Sequence, residues 1–215
     1  MRRSTAALFA IMGLAIAGVL AADLVGSGFW RSSAPEPPEL RPQKRAVYLV
    51  PIGPPTPPFI EDLVQHYRDK YGIWIVVLPE VPLEPAVVDN RRGQVIAEEA
   101  IELIKRANPD QAADTGAVLI GLMTHDIYIR GFTRWRWAFA LREDGRFAVV
   151  STARMDPRFW GGRPDDALFQ TRLRKMVTKN IGAMYFGLEP SRKRRSVMFG
   201  PILGLDDLDR IGEEF

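Results

Sequence analysis

Between Leu168 and Leu188 the apolar residues Phe169, Leu173, Met176, Val177, Ile181, Met184 and Leu188 recur at helical spacing and share one face. A helix that long buries such a stripe only against a second layer, and the preceding sequence provides one. Residues 46–52 form a short apolar, β-branched run that a proline-laden stretch at 53–58 ends, which predicts a first strand. Residues 59–71 repeat at helical spacing through Phe59, Leu63, Val64 and Tyr67, with Gly72 as a stop, and residues 73–78 read as a second strand. Gln94 to Lys105 predicts an amphipathic helix, with Ile96, Ala97, Ala100, Ile101 and Ile104 opposite Glu98, Glu99 and Glu102. Residues 117–123 predict a buried strand. Arg134 to Leu141, the turn Glu143-Asp144-Gly145-Arg146 and Phe147 to Thr152 predict a strand, a turn and a strand. Alternating strands and helices followed by a hairpin indicate an α/β (α+β) fold, a mixed sheet with helices packed on it.

The amino-terminal region is of another kind. Met1-Arg2-Arg3 precedes an uncharged, largely apolar stretch from Ser4 to Ala22, so an N-terminal apolar helix is expected ahead of the sheet. Residues 1–30 read as a signal peptide or a signal anchor: the run is long for a cleaved signal and near the lower limit for a spanning helix. Arg2 and Arg3 favour delivery of the following domain across the membrane, and Arg31, Arg41, Lys44 and Arg45 weaken that preference. Residues 31–45, rich in proline from Pro35 to Pro42, read as a linker, leaving 46–215 as the folded domain. In the 215 residues, 29 Lys and Arg against 26 Asp and Glu give a net charge of only +3, too little for a chain built to coat nucleic acid, and no nucleic-acid partner is expected. The absence of cysteine excludes disulfides, thiolate metal sites and a cysteine nucleophile.

Within the long helix Asn180 falls on the apolar face, where its carboxamide needs hydrogen-bond partners, either in the core or in a cleft. Arg172 and Lys179 flank that face, and as helix charges both are expected in solvent unless a cleft claims them. His125 and Asp126 are adjacent, so on a strand they point to opposite faces and do not form a catalytic pair. His66 reads as a surface residue, Arg192-Lys193-Arg194-Arg195 as a solvated loop, and Trp135 and Trp137 as strand residues packed in the core or a hairpin. No glycine-rich phosphate loop, nucleophile elbow or calcium loop is present.

The order Gly121-Leu122-Met123-Thr124-His125-Asp126-Ile127-Tyr128, Trp137-Ala138-Phe139-Ala140 and Ala148-Val149-Val150-Ser151-Thr152-Ala153-Arg154, followed by the long helix and Ser196-Val197-Met198, resembles the archaemetzincin family of zinc metallopeptidases. The likeness covers most of 46–215. In that family the helix carries His-Glu-x-x-His-x-x-Gly-x-x-His, in which two histidines one turn apart bind Zn²⁺ and the glutamate polarises the bound water. The resemblance places Lys179 at the first histidine, Asn180 at the glutamate, Ala183 at the second histidine and Glu189 near the third. Met198 matches the methionine of the turn beneath the metal.

The resemblance therefore implies a metzincin-like fold without its zinc-binding motif, with no cofactor and no peptidase activity. A protonated lysine does not ligate zinc, and an amide has no useful basicity near neutrality. Arg172, Lys179, Asn180, Ala183, Glu189 and Met198 are the candidates for a vestigial cleft, with Lys179 placing a positive charge where zinc sat, held by a carboxylate such as Glu189. The function implied is that of an exported or membrane-anchored, extracytoplasmic binding or scaffold protein. Its expected partners are a peptide or protein segment in the cleft and a membrane at the N-terminal segment. The alternatives are a hydrolase or zinc-dependent peptidase using an unrecognised site, the hydrolase centred on Lys179 or His125, and a structural envelope protein.

Overall fold

Residues 117–123, Ala-Val-Leu-Ile-Gly-Leu-Met, are buried along their whole length because this strand lies at the centre of a sheet covered on both faces. The computed structural model describes residues 40–132 and 134–215. In chain order these comprise β1 (Ala46–Pro51), α1 (Ile60–Tyr71), β2 (Ile75–Val77), β3 (Val88–Asp89), β4 (Gln94–Ile96), α2 (Ala97–Ala107), α3 (Pro109–Ala113), β5 (Ala117–Met123), β6 (Ile127–Tyr128), β7 (Ala140–Glu143), β8 (Phe147–Ser151), α4 (Asp166–Met184) and α5 (Leu205–Arg210). The main sheet has the order β2-β1-β5-β8-β7, parallel except for β7, which runs antiparallel to β8 at the edge. A smaller sheet joins β3, β4 and β6.

The strands divide their side chains by the period of two. Val47, Leu49, Val118, Ile120, Leu122, Ala148 and Val150 face α1 and α4, whereas Val50, Leu119, Met123, Phe147 and Val149 face α2. Gly121 lets α2 come close to the sheet: a Cβ there would lie 2.7 Å from Ile52 Cδ1 and 3.3 Å from Ile104 Cγ2. Asp165 caps α4 by accepting from the Leu168 N–H at 2.9 Å.

The α/β architecture stands as read from the sequence, with local differences. Gln94–Ile96 is a strand paired with β6 through Val95 and Ile96, and the helix begins only at Ala97. The periodic pattern of α2 runs back through these residues, but the backbone partner is a remote segment that local spacing does not reveal. Of the strand expected over 134–141, only its end is regular: β7 spans Ala140–Glu143, and Trp135 turns aside to stack on Phe132 at 5.1 Å. The long helix stops at Met184, and Leu188 returns its N–H to the Gly182 carbonyl. The expected N-terminal apolar helix, signal or anchor, and most of the linker lie outside the described residues. Among those described, no helix is long and apolar enough to cross a membrane. Gln43 and Arg45, from the end of the linker reading, donate backbone bonds to the carbonyls of Tyr185 and Gly116, each at 2.7 Å.

Candidate functional site

A cleft of about 660 Å³ opens between β7, the chain leading into it, α4 and the segment Pro201–Leu203. Its floor holds Met176, Lys179 and Asn180 of α4, and its wall holds Trp137 and Arg142. β7 pairs only with β8, so among the described residues its outer edge carries no strand.

Lys179 reaches across from α4 to the turn that contains Met198. Its Nζ donates to the carbonyl of Phe199 at 2.5 Å and to that of Val197 at 3.3 Å, the residues on either side of Met198. Burial, and after it the nearby charge of Arg142, push the Lys179 amine down to about 8. Met198 packs under the same helix, and a Cβ on Gly182 would lie 2.6 Å from its sulfur and 2.6 Å from Phe215 Cε1. Asn180 is fully buried and satisfied: Nδ2 donates to the Met176 carbonyl at 2.8 Å and Oδ1 accepts from Arg142 Nη1 at 3.3 Å. Ala183 is half-buried against the core on the α4 side of the sheet.

Of the six cleft candidates only Lys179 and Asn180 line the cleft; Ala183 and Met198 pack in or against the core, and Arg172 and Glu189 lie elsewhere. Arg172 is 6% exposed rather than solvated, because Asp209 accepts from Nε and Nη2 at 2.7 Å each and the Met155 carbonyl accepts from Nη1 at 2.9 Å. It clamps α5 to α4 and does not line the cleft. Glu189 is exposed, and the partners of Lys179 are main-chain carbonyls instead of this carboxylate. The turn past Met184 carries residue 189 off the helix, so the helical spacing no longer applies to it.

His125 does not sit on a strand but in the bend between β5 and β6, with Nδ1 buried and without a hydrogen-bond partner. Asp126 beside it accepts two bonds from Arg154, at 2.8 and 2.7 Å, and one from Gln94. His66 lines a separate hollow of about 340 Å³ between α1 and α4, where burial and then Lys70 and Arg174 lower its pKa. Trp135 is 40% exposed, contrary to a core or hairpin position.

Sequence reasoning missed Arg142 and Lys175. Arg142 shares the period-two face of Ala140, which packs on the α4 side, and an arginine on that face was its signal. Lys175 is 6% exposed and donates to the carbonyls of Leu208 and Asp209, which lie far along the chain.

No protein-family model matches the chain. Archaemetzincin from Pyrococcus horikoshii is 29% identical over 143 residues, covering 65% of this chain and 72% of that protein. Archaemetzincin from Pyrococcus abyssi is 27% identical over 158 residues, covering 71% and 80%. Three solved structures share the fold. Archaemetzincin from Archaeoglobus fulgidus, complexed with malonate, has a TM-score of 0.61 at 20% identity over 80% of this chain and 95% of that one. Archaemetzincin from Methanopyrus kandleri has a TM-score of 0.61 at 24% identity over 80% and 89%. A zinc-dependent peptidase from Methanocorpusculum labreanum has a TM-score of 0.65 at 20% identity over 79% and 95%. By sequence and by fold the chain is a homologue of the archaemetzincins.

The zinc that the resemblance implies does not fit the residues present. Lys179 presents N–H groups already directed at two carbonyls, Asn180 has its amide engaged by Met176 and Arg142, and Ala183 has no donor atom. Among the described residues no group of three or more His, Cys, Asp and Glu side chains is placed to hold a metal ion. The Lys179 ammonium instead fastens the helix to the Met198 turn.

Proposed function

We propose that this protein is a binding or scaffold member of the archaemetzincin lineage, one that holds a peptide or partner segment in its cleft without cleaving it. The observation that carries this reading is Lys179 seated on the Val197 and Phe199 carbonyls beside an Asn180 whose amide is held by Met176 and Arg142. The motif positions thus hold a structural cation and a neutral amide, which neither generate nor activate a hydroxide. The unpaired outer edge of β7 beside the cleft suits an extended peptide added by main-chain bonds. The apolar run at 4–22 behind Arg2 and Arg3 supports an exported or membrane-anchored, extracytoplasmic place of work, with the membrane as partner of the N-terminal segment.

The test is metal content and turnover of the purified full-length protein. The expected result is substoichiometric zinc and no cleavage of a mixed fluorogenic peptide library, with or without added zinc. Stoichiometric zinc, or proteolysis abolished by a chelator, overturns the reading. A second reading, a hydrolase that uses the Lys179 amine, draws on its lowered pKa of about 8, which leaves some neutral amine near neutrality. It requires turnover that Lys179→Ala abolishes.

A further inference from the structure

The charged groups lining the cleft are all of one sign. Arg134, Arg136, Arg142 and Lys179 line it, and no aspartate or glutamate does. Neither Lys179 nor Arg142 has a carboxylate within ion-pair distance among the described residues. Several arginines outside it do have acid partners: Arg154 holds Asp126 at 2.7 Å, Arg158 holds Asp156 at 2.8 Å, Arg172 holds Asp209 at 2.7 Å and Arg174 holds Glu213 at 3.6 Å. Arg146, just past β7, has main-chain carbonyls as its partners, so the cleft is set apart by holding four cations and no acid in one hollow.

The donors are also incompletely used. An ammonium has three N–H groups, and Lys179 gives two to carbonyls, so one remains. Arg142 has five and gives one, at 3.3 Å, to Asn180 Oδ1. Asn180 holds that guanidinium against α4 while its own amide is bonded to Met176. The cleft therefore presents a planar fork on its wall and a point charge at its floor, with their remaining donors unaccompanied by any acidic side chain. Arg142 and the half-buried Lys179 line one hollow and repel, and an anion that accepts from both removes the repulsion and engages the remaining donors.

Above the floor, Trp137 and the stacked pair Phe132 and Trp135 line the same cleft, with Phe132 53% exposed. Rings of this kind beside an open strand edge fit a peptide better than a bare inorganic ion.

We infer that the cleft recognises the carboxylate of an extended acidic peptide, held by Arg142 and Lys179, with main-chain bonds along β7 and the aromatic wall receiving the flanking residues. This inference rests on the reading of the cleft as a peptide-binding site and adds the chemistry of its occupant.

The experiment uses three pools of random pentapeptides presented to the full-length protein, with retention read by mass spectrometry. One pool has glutamate fixed at the centre and both ends blocked, one has glutamine there and both ends blocked, and one has glutamine there and a free C-terminal carboxylate. The expected result is at least tenfold enrichment of a carboxylate-bearing pool over the blocked glutamine pool, lost in Arg142→Gln and in Lys179→Met. Which carboxylate pool is enriched tells an acidic side chain from a chain end. Arg142→Gln lies on an edge strand and leaves the Lys179 contacts in place, so it reports on charge even if Lys179→Met disturbs the fold. Equal retention of all three pools overturns the inference and leaves peptide binding standing. Retention of none overturns both. Displacement of an enriched pool by inorganic phosphate at a concentration where acetate has no effect assigns the cations to phosphate and also overturns the inference.

Discussion

Lys179→Met keeps the length and apolar stem of the side chain and removes its charge, which isolates the cost of holding an ammonium over the Met198 turn. In the folded protein burial, and after it Arg142, lower the amine from 10.5 to about 8. In the unfolded chain it titrates near its ordinary value. Below pH 8 both states are protonated, and the folded state carries the full cost of a poorly solvated cation. Between about 8 and 10.5 the unfolded chain retains a proton that the folded chain has released, so stability rises with pH across that window and is level outside it. At about 1.4 kcal/mol per pH unit the displacement corresponds to about 3 kcal/mol. The cleft is open to solvent, and screening there leaves about 1–2 kcal/mol. The assay is urea unfolding of wild type and Lys179→Met at about pH 7 and about pH 10, with the difference taken at each pH so that the other titrations cancel. The expected outcome is that wild type gains about 1–2 kcal/mol relative to the variant at the higher pH. A difference that stays constant or falls refutes the burial of Nζ beside Arg142, because an amine left in water titrates alike in both states.

Two further outcomes follow from the same helix. Asp209→Ala strands the 8% exposed side chain of Arg172 without its carboxylate and should cost about 3–5 kcal/mol, read as a melting temperature lower by roughly 6–20 °C, whereas Arg172→Leu with Asp209→Leu recovers most of the loss. Asn180→Asp puts a fixed carboxylate against Arg142, so retention of acidic peptides should fall at least tenfold and the stability step between pH 8 and 10.5 should shrink, measured by the same peptide pools and urea titration.

The sheet and its helices were legible because each carries its own period. The strand at 117–123 is an unbroken apolar run, and α2 and α4 show the helical stripe in a few turns of sequence. What local pattern conceals is the identity of partners far along the chain. Gln94–Ile96 becomes a strand because β6, at 127–128, offers its edge, and Arg172 is buried because Asp209 lies 37 positions ahead. Lysine and arginine on a helix are usually solvated, so their burial can be inferred only once an acceptor is known. Of the positions the resemblance named, Lys179 and Asn180 line the cleft and Met198 packs beneath the helix outside it, while helical spacing was extended to Glu189, beyond the point where the helix has ended. Arg142 escaped notice because it is an exposed residue of an edge strand, and its contact with Asn180 becomes clear only when α4 is in position.

Arg172, Lys175 and Lys179 are three and then four residues apart, so they form a row along one side of α4. Each bonds a segment that follows the helix: Arg172 and Lys175 hold Asp209 and the carbonyls of Leu208 and Asp209, and Lys179 holds the carbonyls flanking Met198. The long helix has to be fixed against the turn beneath it, and this row provides the fixing by charge-assisted bonds to main-chain oxygens and one carboxylate. The first two members are 6% exposed and sealed under α5, so their role ends with stability. Lys179 alone of the three lines the cleft, with a donor remaining and Arg142 as its neighbour. Position along one helix thus separates structure from recognition: the cations near its start fasten the C-terminal segment, and the cation near its end both fastens the turn and leaves a positive charge facing whatever enters.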